Sequence, residues 1–158
     1  MTTPRNRAHE FFDTHVTPAV ADWRAAPTDI RLAMNAAVAL NQMADHYWHG
    51  YASVDQSRVF NTASAGAFRT ELAKRSADFA LLRDVAEAHK HVKLSRPQRA
   101  VTSAMQSSVG ATGYGEGPFG EGPFGGGPSI VVVLDNGSKR HLSAVAEEVM
   151  KLWSAMLA

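Results

Sequence analysis

One stretch of the chain, residues 30–48, is apolar around most of a helical circumference. The start signal Ala26-Pro27-Thr28-Asp29 precedes it and Gly50 follows it as a stop signal. The apolar positions are Ile30, Leu32, Met34, Ala36, Ala37, Val38, Leu40, Met43, Ala44, Tyr47 and Trp48. A helix with so wide an apolar surface has to be surrounded by other elements. The sequence therefore predicts a helical bundle with this helix at its centre.

Two polar residues, Asn41 and Asp45, interrupt the apolar arc of this helix one turn apart. A buried carboxylate is costly unless it is paired with a donor. Asp45 therefore requires a donor from a neighbouring helix, and Arg83 and His89 are the candidates. In the alternative interpretation, Asp45 is satisfied by a backbone amide or a Trp indole inside the core.

Helix signals elsewhere in the chain predict partners for the central helix. Ser64 and Ser76 are placed to cap two helices, and the apolar residues after Ser143 recur at helical spacing. Pro4 can open a first helix, and Thr17-Pro18 is the predicted break in it. These helices supply the apolar faces that would cover the central one.

Past Pro97 the composition changes to that of a small antiparallel sheet. Strands are indicated at 100–105 and 130–134, and Asp135-Asn136-Gly137 is a hairpin turn into a third strand at 139–142. The predicted organisation is one mainly α domain over residues 1–158. It begins with a bundle of about four to five helices at 4–95. A three-stranded antiparallel β-meander at 100–142, which contains a Gly-rich loop at 110–128, and a C-terminal helix at 143–157 complete it.

The Gly-rich loop holds nine of the twelve glycines and repeats the sequence Gly-Glu-Gly-Pro-Phe. Such a segment cannot pack a core of its own. It is either a flexible insertion or a functional segment. As a functional segment it would be a lid, or a docking tail that binds a protein partner through Gly115–Phe124, with Phe119 and Phe124 as the contact residues. It is not a phosphate-binding loop, because no Lys-Ser/Thr follows it.

Composition excludes several classes of protein. The chain has no cysteine, which excludes disulfides, thiolate metal sites and Cys nucleophiles. The N-terminal residues lead into Glu10 and Asp13 rather than into an apolar run, and no stretch reaches the length of a membrane span. We therefore expect a cytoplasmic protein of bacterial type that does not contact a membrane.

The helix predicted at 76–92 combines an Arg, an acid and two His, and we place the candidate site there. Its apolar arc consists of Leu81, Leu82, Val85, Ala86, Ala88 and Val92. At about 100° per residue His89 falls inside that arc, whereas Asp84 and His91 share a second face. Arg83 and Glu87 lie on a third edge, four residues apart.

No acidic residue occurs between Glu87 and Glu116, and cations occupy much of this gap. The basic residues are Lys90, Lys93, Arg96 and Arg99. Two interpretations stay open. Cations balance the dipole at the C-terminus of a helix, and a basic run also binds polyanions such as RNA.

An Arg followed by a His suits acid–base chemistry on a phosphodiester, with no metal or cofactor. His exchanges protons near neutral pH, and Arg can hold the charge that develops on phosphate. A metal site is not expected, because His89 and His91 point about 160° apart on an ideal helix. His46 and His49 do share a helix face, but the further ligands from a neighbouring helix would have to be this divergent pair.

The arrangement of Arg83, the polar Asp84 and His89 resembles the motif of the HEPN superfamily. Members of that superfamily are helical bundles, often dimeric, with the motif near the dimer cleft, and many cleave RNA without a metal ion. The resemblance implies that Arg83 stabilises the phosphate, that Asp84 is its polar neighbour and that His89 is the general acid or base. Lys90-His91 competes with this pair for the same role. A homodimer that acts on RNA is thus implied.

Three other hypotheses remain. The protein could instead be a non-enzymatic interaction protein that uses the Gly-Pro-Phe loop or the basic helix end. It could also be a sensor with a small-molecule pocket walled by Asn41, Asp45, Trp48 and His89. In the purely structural interpretation, Arg83 and Glu87 form a surface ion pair and His89 is packed in the core.

Overall fold

A computed structural model describes residues 5–91, 100–110 and 128–158 of the chain. The predicted mainly α fold, with a three-stranded antiparallel sheet before the C-terminal helix, is confirmed. The helices are α1 (Arg7–Phe11), α2 (Thr17–Ala25), α3 (Ile30–Tyr51), α4 (Ala65–Arg75), α5 (Ala77–His91) and α6 (Leu142–Leu157). The strands are β1 (Ser107–Gly110), β2 (Ser129–Val133) and β3 (Lys139–His141). Among the helices described, none is both long and apolar enough to cross a membrane.

Helices α1 and α2 form one continuous helical segment, because a π-helical turn at Phe12–Val16 joins them. The predicted break at Thr17-Pro18 is therefore wrong. Proline has no N–H, and its ring crowds the carbonyl four residues earlier, which here is that of Thr14. The wider π turn is closed by a hydrogen bond from the Thr17 N–H to the Phe12 carbonyl, and the helix continues past the proline.

Helix α3 is the centre of the bundle, as predicted, and packs against α1, α2, α4, α5 and α6. Its N-cap is Asp29, whose Oδ1 accepts hydrogen bonds from the amides of Arg31 and Leu32 at 2.9 and 3.1 Å. The helix passes through Gly50 and ends at Tyr51, slightly later than the sequence predicts. Many of its buried residues are alanines, which let the surrounding helices approach closely.

Helix α6 closes the core against α3 and α5. The indole of Trp153 is fully buried and donates its Nε1–H to the Leu40 carbonyl at 3.1 Å. Tyr47 donates its hydroxyl to the Met156 carbonyl, also at 3.1 Å. Both large polar aromatics thus satisfy their hydrogen bonds while they fill the core. The helix begins at Leu142 after His141, without a side-chain cap, so the predicted cap at Ser143 is wrong.

The sheet has the order β1-β2-β3, with both neighbouring pairs antiparallel. The hairpin turn is confirmed, since Gly137 has a φ of 86° and donates its N–H to the Leu134 carbonyl at 2.9 Å. The strand predicted at 100–105 is wrong. Ser103 and Gln106 form a capping box around a short 3-10 turn, and the first strand begins only at Ser107.

Side-chain hydrogen bonds explain that shift of the strand. The Gln106 side chain accepts from the amides of Thr102 and Ser103 at 2.9 and 2.7 Å, and it donates to the Val133 carbonyl at 2.8 Å. These bonds replace a strand ladder before β1. The Gly-Pro-Phe repeat of the predicted loop lies outside the described residues.

Candidate functional site

The buried side chain of Asp84 is the fixed point of the candidate site on α5. Its carboxylate, 1% exposed, accepts from Nε and Nη2 of Arg83 at 3.1 and 3.0 Å through Oδ1. Its Oδ2 accepts from the backbone N–H of Ala100 at 2.8 Å. A buried carboxylate needs such donors, so Asp84 joins α5 to the segment that leads into the sheet.

Arg83 is held by Asp84 and is largely covered, with 16% of its side chain exposed. Its partner is the neighbouring Asp84 and not Glu87, so the hypothesis of an Arg83–Glu87 surface ion pair is wrong. Two of its three guanidinium nitrogens bond to one carboxylate oxygen. The guanidinium therefore has a defined orientation in the folded protein.

The last turn of α5 presents His89, Lys90 and His91 as exposed residues. On the helical wheel His89 falls within the apolar arc, but its side chain is exposed, so the hypothesis of a packed core imidazole is wrong. Leu82 and Ala88 are buried on the same helix, so the packed layer ends just before His89. His89 is therefore neither a core imidazole nor a wall of an internal pocket.

Asp45 is paired with Arg69 of α4, whose Nη2 lies 2.5 Å from its Oδ1. The prediction that Arg83 or His89 is the donor to Asp45 is therefore wrong. With 43% of its side chain exposed, Asp45 lies at the edge of the bundle and not in the core. Within the described part of the chain, Asn41 Oδ1 and Arg69 Nε are buried and have no hydrogen-bond partner.

These placements leave the predicted residues in two groups. Arg83, Asp84, His89, Lys90 and His91 lie on α5. Asp45 bonds to Arg69 across the interface between α3 and α4, Asn41 lies one turn earlier on α3, and Trp48 donates its Nε1–H to the Thr62 carbonyl at 3.3 Å. The sensor pocket predicted from Asn41, Asp45, Trp48 and His89 is therefore not assembled. Lys93, Arg96 and Arg99 lie outside the described residues.

A second polar cluster, at the contact between α1 and α3, was missed by the sequence reasoning. The ring of Phe11 stacks on His15 and His46, with centroid distances of 4.8 and 3.7 Å. An open cleft of about 290 Å³ at this place is lined by Arg7, Glu10, Phe11, Thr14, His15 and His46. The spacing of Phe11 and His15, four residues apart on a helix, is the one signal in the sequence that points to this cluster.

Burial lowers the pKa of His46 below its ordinary value, and the nearby Asp45 partly opposes that shift. His15, Arg7 and His49 lower the pKa of His46 further by their charge. His46 is therefore neutral at pH 7. Within the described ranges, no three His, Asp or Glu side chains are grouped so that they could hold a metal ion.

No family model matches the chain, and neither the characterised proteins nor the solved structures include a significant match to it. The function therefore has to follow from the geometry alone.

Proposed function

We propose that the protein binds RNA through the exposed last turn of α5 and that, as a HEPN-like homodimer, it cleaves the bound strand without a metal ion. The observation that carries the proposal is the joint exposure of His89, Lys90 and His91. An ammonium group and two imidazoles in one helical turn can contact a phosphodiester backbone. Imidazole is also the side chain that most often acts as a general acid or base in enzymes.

The fixed guanidinium of Arg83 supports the same proposal. Asp84 engages Nε and Nη2, which leaves Nη1 for another acceptor. A cation that is already oriented loses less conformational entropy when it binds a phosphate than a flexible one does. Arg83 is thus suited to hold a phosphate oxygen on which negative charge develops.

Binding and cleavage make different demands on α5. His89 lies six positions after Arg83, which on an ideal helix corresponds to a rise of about 9 Å and a rotation of about 120°. One α5 helix therefore does not direct both side chains at a single phosphodiester. In a homodimer, Arg83 from one copy and His89 from the other can act on the same bond, whereas binding requires only the exposed turn.

The outer edge of the sheet supports the homodimer. In the described part of the chain, strand β1 pairs with β2 on one side only, and beside it Met105 is 88% exposed and Val109 50% exposed. Large exposed apolar side chains at a strand edge are typical of a surface that another chain covers. The turn Ala104–Gln106 that leads into β1 packs against α5, so a dimer through β1 would form beside the candidate site.

RNA binding is tested by fluorescence anisotropy with a labelled single-stranded RNA. The triple variant His89→Ala, Lys90→Gln, His91→Ala should bind about tenfold more weakly than the wild type, because several charge-assisted hydrogen bonds to phosphate are removed. Lys74→Gln, which removes an exposed lysine of α4, is the matched control and should bind as the wild type does. Wild-type protein that binds no RNA at low salt would refute the proposal.

Cleavage is tested in EDTA with the same RNA. Arg83→Gln and His89→Ala should each abolish cleavage, measured at a temperature at which the circular dichroism spectrum shows that both variants are folded. Cleavage that survives in both variants would remove α5 from the chemistry but not from RNA binding.

The dimer is tested by light scattering. Met105→Glu should convert a dimer into a monomer, and Val54→Glu, which changes an exposed valine in a loop, should not. A wild-type monomer at every concentration would exclude the cleavage mechanism.

A further inference from the structure

We propose that the cleft between α1 and α3 binds a phosphate monoester through Arg7, His15 and His46. This site is separate from the proposed RNA-binding turn of α5, and it uses none of the same residues. The inference rests on three features of the cleft, which are an exposed guanidinium, an imidazole with a fixed tautomer and a second imidazole with a lowered pKa.

The guanidinium is that of Arg7, which is exposed at the start of α1. In the part of the chain that the structure describes, no acidic side chain forms an ion pair with it. Its neighbour Arg5 differs, because it is paired with Asp13. Arg7 is therefore the cation of this cleft that is available for an anionic ligand.

The tautomer of His15 follows from the hydroxyl of Thr14. That hydroxyl has one proton, which it donates to the Glu10 carbonyl at 2.7 Å. Its oxygen must then accept the bond of 2.8 Å that joins it to His15 Nδ1. His15 therefore carries its proton on Nδ1 when it is neutral, and Nε2 remains as a basic nitrogen with no partner in the described residues. Thr14 also keeps the ring in one orientation.

His46 lies across the cleft, half-buried, with its ring stacked on Phe11 at 3.7 Å. Its ring nitrogens form no hydrogen bond within the described residues. Burial and the charges of His15, Arg7 and His49 lower its pKa, whereas Asp45 acts in the opposite direction. A dianionic ligand would raise the pKa of His46, because a nearby negative charge favours the protonated imidazole.

The size and charge of the cleft fit a phosphate monoester. The cleft holds about 290 Å³, and a neighbouring cleft of about 440 Å³ shares Arg7, Glu10 and Thr14 with it. A phosphate can contact Arg7 and both imidazoles, while the rest of the ligand extends into the neighbouring cleft. Glu10 is the acid of the lining, and its charge opposes anion binding. We therefore expect Glu10→Gln to strengthen binding.

Protonation is the signature of this mode of binding. Neutral His46 has one N–H to donate to phosphate, and it gains a second donor and a positive charge when its basic ring nitrogen is protonated. Binding should therefore take up protons, and affinity should rise as the pH falls from about 8 to about 6.5. The charges that face His46 in this range are those of Arg7, Glu10, His15, Asp45 and His49.

Calorimetric titration with adenosine 5′-monophosphate, adenosine and inorganic phosphate tests the site. We expect the two phosphates to bind with proton uptake, measured in buffers of different ionisation enthalpy, and adenosine not to bind. Arg7→Gln should weaken binding about tenfold or more, and His46→Gln should reduce the proton uptake. Arg31→Gln, which changes an exposed arginine of α3, is the matched control.

Two RNA oligonucleotides identify the source of the phosphate. The ligand is the end of an RNA strand if a 5′-phosphorylated RNA binds more tightly than both its 5′-hydroxyl counterpart and the mononucleotide. In that case Arg7→Gln should remove the difference in affinity between the two RNAs. If the mononucleotide binds as tightly as the phosphorylated RNA, the ligand is a small phosphorylated molecule. Either result supports the site, and the α5 variants should retain it. The proposal is overturned if neither phosphate nor phosphorylated RNA binds, or if binding is unchanged in both Arg7→Gln and His46→Gln.

Discussion

Replacement of Asp84 by alanine should destabilise the protein more than any exposed substitution on α5. Within the described residues, the change removes the two hydrogen bonds from Arg83 and the one from the Ala100 amide, and it leaves a guanidinium that is only 16% exposed without its partner. Loss of one member of a buried ion pair costs about 3–5 kcal/mol. For a domain of this size, each kcal/mol lowers the melting temperature by about 2–4 °C, so we expect a decrease of roughly 6–20 °C.

Thermal melts followed by circular dichroism measure this effect, with Asp78→Ala as the matched control. Asp78 lies in the first turn of the same helix and bonds to Arg140 at 3.1 Å, but both side chains are partly exposed. Its loss should cost no more than about 1 kcal/mol. If the two variants melt within about 2 °C of each other, Asp84 does not hold the sheet segment to α5 and the reasoning is wrong.

Three further predictions concern stability. Ser76→Ala should lower the free energy of unfolding by about 1 kcal/mol in a urea titration, because the Ser76 hydroxyl accepts from the Phe79 amide at 3.1 Å. An unchanged midpoint would show that Ser76 does not cap α5. Trp153→Ala should cost about 3–5 kcal/mol, since it empties the core and removes the bond to Leu40; a cost below about 1 kcal/mol would show that the core refills. The pKa of His46 is lowered in the folded state. Between the folded and the unfolded pKa the unfolded chain therefore binds more protons than the folded protein does. The free energy of unfolding should thus fall as the pH drops below 6.5. Melts of His46→Gln should show a smaller decrease over that range, and an identical decrease would contradict the assignment.

Features set by neighbouring residues could be predicted from the sequence. Asp29, Ser64 and Ser76 cap their helices as expected, because each cap needs only an amide two or three residues away. The central position of α3 was predictable for a related reason, since its wide apolar surface required partners whatever their identity. The hairpin turn before β3 depends on Asn136-Gly137 and was also predicted.

Features set by distant contacts could not be predicted. Asp45 binds Arg69 because α4 packs on that side of α3, and no spacing in the sequence indicates which helix does so. The bond from Ala100 to Asp84 and those from Gln106 to the backbone likewise depend on where the chain returns after α5. Those contacts decide where β1 begins.

The exposure of His89 and the cleft at His46 could not be predicted from the sequence. Wheel geometry places His89 within the apolar arc, but it does not show where the packed layer ends along the helix axis. The cleft between α1 and α3 was missed because its residues come from separate helices, and the π turn that contributes Thr14 and His15 depends on how Pro18 is accommodated.

The dependence of RNA affinity on salt tests the central claim most directly. A plot of the logarithm of the association constant against the logarithm of salt concentration should be steep for the wild type. For the variant His89→Ala, Lys90→Gln, His91→Ala, the slope should be smaller by about one for each phosphate that the variant no longer binds. Equal slopes and equal affinities for the two proteins would show that the exposed turn of α5 does not bind RNA.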